Sequence, residues 1–342
     1  MGEFETIARI RQMAEKIGTF KPVSLGIGDD CCLLEAAGDE EFALSTDAFV
    51  EGVHFRLDYF DYYQVGVKAA AASLSDLAAM GAEPAGALAA VSIRREDAET
   101  AIEDLAGGLI ETCGRYDCPL VGGDLTASPG PLVVTVTVAG RVKKGQAILR
   151  STAQPGDEIW VSGTPGDAGA VLAVLEQRRK SKTASLPEFD STLLGRLLSP
   201  IPRLAEARLL RQAGPPTAMI DISDGLAADL NHILEDSGLG ALLFARKFPL
   251  GEFQQSVAAV LGLPKDHFFL HGGEDYELLL TIPPGVLSKD AGDVREITGT
   301  ALHRIGRLTG KKGELIVQRE DGRFEALRKT GFDHFSSIHS GR

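Results

Sequence analysis

STDAFVEGVHF, residues Ser45–Phe55, is the stretch around which the chain is organised. The preceding run EFALS, Glu41–Ser45, reads as a strand heading into a core, and Gly52 permits backbone angles that other residues avoid. Ser45, Thr46 and Asp47 are therefore expected where a strand ends and a loop opens, the place where open α/β sheets carry their chemistry. Three consecutive oxygen-bearing side chains suit a hard cation such as magnesium. A turn in which Ser45 and Asp47 bond only their own backbone explains the same residues. The recurrence of similar carboxylates elsewhere in the chain separates these readings.

Upstream, Phe4, Ile7, Ile10 and Met13–Ala14 recur at helical spacing. LGIGDDCCLLE, Leu25–Glu35, then sets Asp29 and Asp30 behind Gly26 and Gly28. It is not the dinucleotide fingerprint, because Cys31 stands at the third glycine position. Asp30 is a metal candidate, although a Gly-Asp-Asp turn is by itself more often structural. Downstream, Phe60–Met80 reads as an alanine-rich helix closed by Gly81. Asp76 sits in it among Ala72, Leu77 and Ala79, and a packed carboxylate there needs a cation, a hydrogen bond or a changed pKa. The alternative is an exposed helix acid near Lys68.

A strand over Ala82–Ile93, a helix over Glu96–Tyr116 and a short strand over Pro119–Val121 follow. The last runs into VGGDLT, where Gly122–Gly123 lets backbone approach a ligand and Asp124 again stands at a strand end. Leu132–Val142, LVVTVTVAGRV, alternates β-branched residues and is the clearest strand. Arg150 comes next; a guanidinium fits phosphate oxygens, and a surface salt bridge is its commoner use.

Pro155-Gly156-Asp157 is a turn signal, and domains over 1–152 and 153–342 are expected around it. The second unit begins with the strand EIWVSG and a helix in which Gly166 and Gly169 either admit a phosphate to the positive end or serve capping and packing. KSKTASLPEFD reads as an exposed loop. Thr217–Ile220 is an apolar strand ending in DISDGLAADLNHIL, which places Asp221, Ser223 and Asp224 where strand gives way to helix. Asp224 could cap the helix starting near Leu226, and a cap requires only one of these three residues. HGGEDYELLLTI then sets Gly272–Asp275 directly before another strand.

At 342 residues two domains are the natural division. A net charge of −13 gives none of the basic footprint that nucleic acid needs. The same acidity repels a phosphorylated substrate unless cations stand between. Cys31, Cys32, Cys113 and Cys118 fit no zinc spacing and read as small buried residues in a reducing compartment, hence a cytoplasmic protein. The first residues lack the pattern of a signal peptide. Lys68, Asp76 and Glu83 interrupt the alanine-rich segment, which argues against a membrane span.

No P-loop, protein-kinase or Gly-x-Ser-x-Gly signature occurs, and the acids outnumber the two that glycoside chemistry uses. Magnesium ions holding a nucleotide polyphosphate account for them best. Taken together, LGIGDD, STDAFVEGVHF, SLSDLAAMGAEP, LVGGDLT, DISDGLAADL and HGGEDYELL resemble the thiamine-monophosphate kinase family, within the ATP-binding superfamily of aminoimidazole ribonucleotide synthetase. The resemblance runs from about Phe4 to Phe335. GGEDYEL, Gly272–Leu278, combined with Ser45–Asp47 and Glu51–Phe55, is its most specific part, whereas Ser-Asp-Gly is shared widely.

The resemblance implies two α/β domains, the N-terminal one with a mixed sheet that pairs across a homodimer. It implies ATP-dependent phosphorylation of thiamine monophosphate without a phosphoenzyme. Asp30, Ser45, Thr46, Asp47, Asp76, Asp124, Asp221 and Asp224 match the family's magnesium ligands, with Asp47, Asp76, Asp221 and Asp224 at the centre of catalysis. Gly123, Asp124, Arg150 and Ser223 match ATP contacts, and His54, Glu274 and Phe332 match positions touching the thiamine moiety. A potassium ion is a further candidate. Where many relatives carry a tyrosine near ATP, this chain has Leu105-Ala106-Gly107-Gly108. The competing readings are a sister enzyme of the selenophosphate synthetase or hydrogenase-maturation type, and a non-catalytic ATP-binding subunit. The tail HFSSIHSGR lacks the terminal cysteine of the hydrogenase-maturation type.

Overall fold

Val134, Val136, Val138, Gly140 and Val142 are buried while the residues alternating with them are not, the period-two signature of a strand with one face on a core. The computed structural model describes residues 3–17, 21–180 and 186–327, so the expected substrate contact Phe332 lies outside the described residues.

The first half contains α1 (Glu3–Ile17), β1 (Val23–Leu25), β2 (Cys32–Glu35), β3 (Glu40–Val50), α2 (Tyr62–Ala79), β4 (Glu83–Ile93), α3 (Arg95–Arg115), β5 (Leu120–Ala127) and β6 (Val133–Lys143). Its strands form one sheet in the order β1-β2-β3-β6-β4-β5, antiparallel except for the β4–β5 pair. The mixed sheet expected of this half is thus present.

Helix α2 packs on the inner face of this sheet against β3 and β6, and α3 packs on α2. A capping box starts α2: Asp61 Oδ1 accepts from Gln64 N–H at 2.7 Å, and Gln64 Oε1 accepts from Asp61 N–H at 3.0 Å. The α2–α3 crossing brings backbone against backbone. A Cβ on Gly66 would lie 2.2 Å from Leu105 O, and one on Gly108 would lie 2.1 Å from Tyr63 O. Leu105–Gly108, the segment without the family tyrosine, is therefore shaped by helix packing.

The second half contains β7 (Glu158–Ser162), α4 (Asp167–Lys180), α5 (Ser191–Leu198), α6 (Leu204–Ala213), β8 (Ala218–Asp221), α7 (Leu226–Ser237) and β9 (Gly240–Phe244). There follow α8 (Glu252–Val260), α9 (His267–His271), β10 (Leu278–Ile282), α10 (Leu287–Thr298), β11 (Leu302–Thr309), β12 (Leu315–Gln318) and β13 (Phe324–Ala326). The sheet order is β13-β12-β9-β11-β7-β10-β8, with β12–β9 the parallel pair.

Several local expectations are corrected. Ser45, Thr46 and Asp47 are not at a strand end: β3 continues to Val50 because it pairs with β6 along its whole length, from Glu40↔Lys143 to Val50↔Val133. Likewise β5 does not stop at Val121 but runs through Gly122–Asp124 to Ala127, in parallel register with β4. Asp224 does not cap α7. Asp229, one turn into the helix, reaches back instead, its Oδ2 accepting from Gly225 N–H at 3.1 Å and Asp224 N–H at 3.3 Å.

Candidate active site

Asp30, Asp76 and Asp221 come together from three separate segments: the turn before β2, the last turns of α2, and the end of β8. One carboxylate oxygen from each lies within 4.8 Å of the others. The first two belong to one sheet's domain and the third to the other's, so the site sits where the two halves meet. Strand alternation on β3 sends Ser45 and Asp47 to this side. The Ser45 hydroxyl donates a short hydrogen bond to Asp76 Oδ2.

The electrostatics are those of crowded anions with too little positive charge. Burial first, then Asp47, Asp221 and Asp30, holds the Asp76 carboxyl well above the ordinary range. Burial and Asp30 push Asp221 up to about 8, against which Arg150 acts. Burial chiefly, with Asp30 next, raises Asp29 to about 7, and burial raises Asp47. Ser73 and Ser75 are wholly buried beside Asp47 and Asp221, close enough to favour their ionised forms, yet neither hydroxyl closes a hydrogen bond of proper geometry. Buried carboxylates of this kind otherwise need a cation. Carboxylate and hydroxyl oxygens without nitrogen or sulfur donors suit magnesium, calcium or manganese.

Arg150 is the cation at the edge of the cluster. Its guanidinium takes Asp30 with both arms, a short bond from Nη2 and a 3.3 Å bond from Nε, while Nε lies 3.6 Å from Asp29. Its backbone N–H donates to Asp29 Oδ2 at 3.1 Å. Burial disfavours the charged guanidinium, but Asp30, Asp29 and Asp221 outweigh it and raise its pKa.

Other expected residues are placed differently. Thr46 faces the opposite side of β3, with its hydroxyl 2.9 Å from Thr137 Oγ1. Register puts Asp124 in one row with Ala48, Thr135 and Ala90, on that same outer face, and Asp124 is exposed. Gly123 is close-packed against its own sheet: a Cβ there would lie 1.8 Å from Ala89 O. Ser223 and Asp224 follow β8 in the turn beside Asp221. The Ser223 carbonyl accepts from Glu274 N–H at 2.8 Å, which ties the GGEDYEL turn to the metal-candidate turn.

The His54 ring is anchored at the turn behind β3, where Nδ1 accepts from Val50 N–H at 3.0 Å; Nε2 is then the protonated nitrogen. Glu274 lies against the buried Lys68, Nζ to Oε2 2.7 Å. Nearby, Arg56 Nε pairs with Glu176 Oε1 at 3.0 Å and the Tyr59 hydroxyl donates to the same oxygen at 3.2 Å, joining the turn after β3 to α4.

In the sequence Lys68 reads as a charge interrupting an apolar run and as a neighbour of Asp76, with no site role, and Asp29, Ser73, Ser75 and Asp229 are not among the expected site residues. The doubled acid in Gly-Asp-Asp was a usable signal for Asp29. For Lys68 the signal was a lone lysine inside a helix of alanines. The phosphate site considered at the start of α4 does not form: Asp275 occupies it, and Gly169 is needed because a Cβ would lie 2.8 Å from Gly272 Cα.

Comparison with known proteins matches residues 28–142 to the family described as "AIR synthase related protein, N-terminal domain" and residues 154–318 to the corresponding C-terminal domain. The chain is 38% identical to the thiamine-monophosphate kinase of Escherichia coli strain K12, covering 98% of this chain and 99% of that one. Among solved structures, AaThiL complexed with AMPPCP and TMP superposes with a TM-score of 0.81 at 29% identity, over 98% of this chain and 97% of that one. The thiamine-monophosphate kinase of Stenotrophomonas maltophilia K279a gives 0.73 at 35% identity, over 94% and 97%.

Proposed function

The chain belongs to the thiamine-monophosphate kinase branch of the AIR synthase related family, and on that premise we propose that it phosphorylates thiamine monophosphate with ATP, giving thiamine diphosphate and ADP. The observation that carries this reading is the Asp30–Asp76–Asp221 cluster with Arg150 at its edge.

An oxygen of the acceptor phosphate attacks the γ-phosphorus as the bond to the β–γ bridging oxygen breaks, and ADP leaves with that electron pair. The second pKa of a phosphate monoester is about 6, so at neutral pH the acceptor needs no strong base. The protein's task is to place two anions in line and offset their repulsion. Asp30, Asp76 and Asp221, with Asp47 and Asp224 beside them, would hold magnesium, and the ions supply charge neutralisation and alignment of the phosphates. Arg150 turns its guanidinium toward the same space. His54 and Glu274 would line the acceptor end, the latter tied by its backbone N–H to the Ser223 carbonyl beside Asp221.

We place Thr46 and Asp124 at a homodimer interface. Among the described residues nothing covers the outer face of the first sheet, where Leu88 on β4 is 48% exposed, and the edge strand β5 also exposes Val121 (68%) and Leu125 (58%) on its other face. A second copy covering this face would bury Thr46 and Asp124 between the two subunits. The domain boundary is taken at 152/153, between the two sheets. The four cysteines are free thiols and fit a cytoplasmic protein. Among the described residues no helix is long and apolar enough to cross a membrane.

Mass spectrometry of the protein incubated with ATP, magnesium chloride and thiamine monophosphate tests the activity. Thiamine diphosphate is the expected product. ADP formed only with another acceptor would favour a sister enzyme, and ATP binding without turnover would favour a non-catalytic subunit.

A further inference from the structure

Lys68 is a buried cation that the phosphoryl-transfer chemistry does not use. It lies on α2 two turns before Asp76, about 12 Å along the axis at 1.5 Å per residue. Its side chain is 2% exposed, its Nζ lies 2.7 Å from Glu274 Oε2, and it stands over the Phe60 ring at 5.2 Å from the centroid. The Glu274 side chain retains 16% exposure, so part of it stays accessible.

The backbone around Glu274 is fixed by other means. Glu274 and Tyr276 have φ of +67° and +51°, a region that residues with a side chain seldom adopt. Glu274 N–H donates to Ser223 O and Tyr276 N–H to Ile222 O, both at 2.8 Å. Asp275 is held by the start of α4 and Glu277 by Arg203. These contacts lie within the second half of the chain and leave the direction of the Glu274 carboxylate open. Lys68, from the first half, closes that gap by a charge-assisted hydrogen bond. A stabilising ion pair alone is a weak reason for burying a lysine, since desolvation offsets most of the attraction.

We infer that Lys68 is a positioning residue for the acceptor: it reaches across the domain junction to aim the Glu274 carboxylate at the cationic thiazolium end of the substrate, while Asp76 on the same helix serves the phosphate end. The inference rests on the activity proposed above. It makes α2 a ruler with a cation-recognising end and a phosphate end, so the Lys68–Glu274 pair affects acceptor binding and leaves ATP binding alone.

Steady-state kinetics on Lys68→Met, Lys68→Arg, Glu274→Gln and the Lys68→Met/Glu274→Gln double variant test it, with thermal melting read on each. Lys68→Met is expected to raise KM for thiamine monophosphate about tenfold while KM for ATP stays within about twofold. Lys68→Arg recovers part of the loss because it keeps the charge. The double variant is no worse than Glu274→Gln, since the lysine acts through that carboxylate. An unchanged acceptor KM in Lys68→Met, or equal rises for both substrates, overturns the inference. Should Lys68→Met fail to fold, Lys68→Arg carries the test, with a rise of roughly threefold in the acceptor KM expected and no rise overturning it. Wild-type protein that makes no thiamine diphosphate overturns the activity and the inference together; wild-type turnover with unaltered variants overturns the inference alone.

Discussion

Asp275 occupies the N-terminus of α4 above Gly166: its carboxyl accepts from Gly166 N–H at 2.7 Å and from Ala168 N–H at 3.2 Å. An internal acid thereby takes the place that an anionic ligand would otherwise use. Asp275→Ala leaves both donors buried without an acceptor, a cost of about 1–3 kcal/mol each at most. Asp275→Asn keeps one acceptor oxygen in place. Chemical denaturation should therefore rank wild type above Asp275→Asn and Asp275→Asn above Asp275→Ala; equal midpoints for all three would remove the capping role.

Asp47→Asn should leave the chain folded and cut turnover by roughly 10²–10³-fold, the scale of losing one preorganised electrostatic contact at a reacting phosphate. Far-ultraviolet circular dichroism and the rate of thiamine diphosphate formation check the two halves of that statement. Full activity would show that Asp47 holds no magnesium.

Asp221→Asn should stabilise the metal-free protein and abolish its response to magnesium. The substitution removes a carboxylate that burial and Asp30 disfavour, and each kcal/mol so recovered raises Tm by roughly 2–4 °C. Differential scanning calorimetry with and without magnesium chloride gives both readings. A variant that magnesium still stabilises as strongly as wild type would place the ion elsewhere.

Stability without metal should fall as pH rises. In the folded chain Asp221 keeps its proton up to about 8, against 3.8 ordinarily, and Asp29 up to about 7. Between those limits the folded state binds more protons than the unfolded one, so its stability decreases with pH through that window. Asp30 and Asp47 oppose ionisation of Asp221, while Arg150 and Ser75 favour it. Magnesium binds the ionised form, so the gain in Tm on adding it should be larger at pH 8 than at pH 6. A gain that is the same at both values, or larger at pH 6, would break the link between these acids and the ion.

Gly108→Ala should destabilise although it sits inside a helix. Removing glycine's helix penalty is worth about 1 kcal/mol. The new Cβ, however, would lie 2.1 Å from Tyr63 O, a backbone atom that cannot turn away. Forcing packed elements apart costs typically 1–3 kcal/mol, occasionally more, and the loss wins. A Tm equal to or above wild type would mean that α2 and α3 separate freely.

Strand and helix identities were largely legible, because periodicity depends on neighbours in sequence. Phe60–Met80 closed by Gly81 became α2, and the alternation of Leu132–Val142 became β6. The ends of elements were less so. Ser45–Asp47 and Asp124 look like strand ends, since polar residues and glycines usually stop strands, but pairing with β6 and β4 carries both strands through. That pairing also decides that Asp47 and Thr46 face opposite ways.

The kinds of residue that this protein brings to its chemistry are set by its residue order alone: oxygen donors for a hard cation, an arginine, and a GGEDYEL turn specific enough to indicate the family. Which of them meet depends on how the chain folds. Asp30, Asp76 and Asp221 are separated by 46 and 145 positions along the chain yet share one space, and Lys68 acquired its partner Glu274 206 positions away. Burial and mutual repulsion, which give these groups their shifted pKa values, are properties of distances in space. No local pattern encodes those distances.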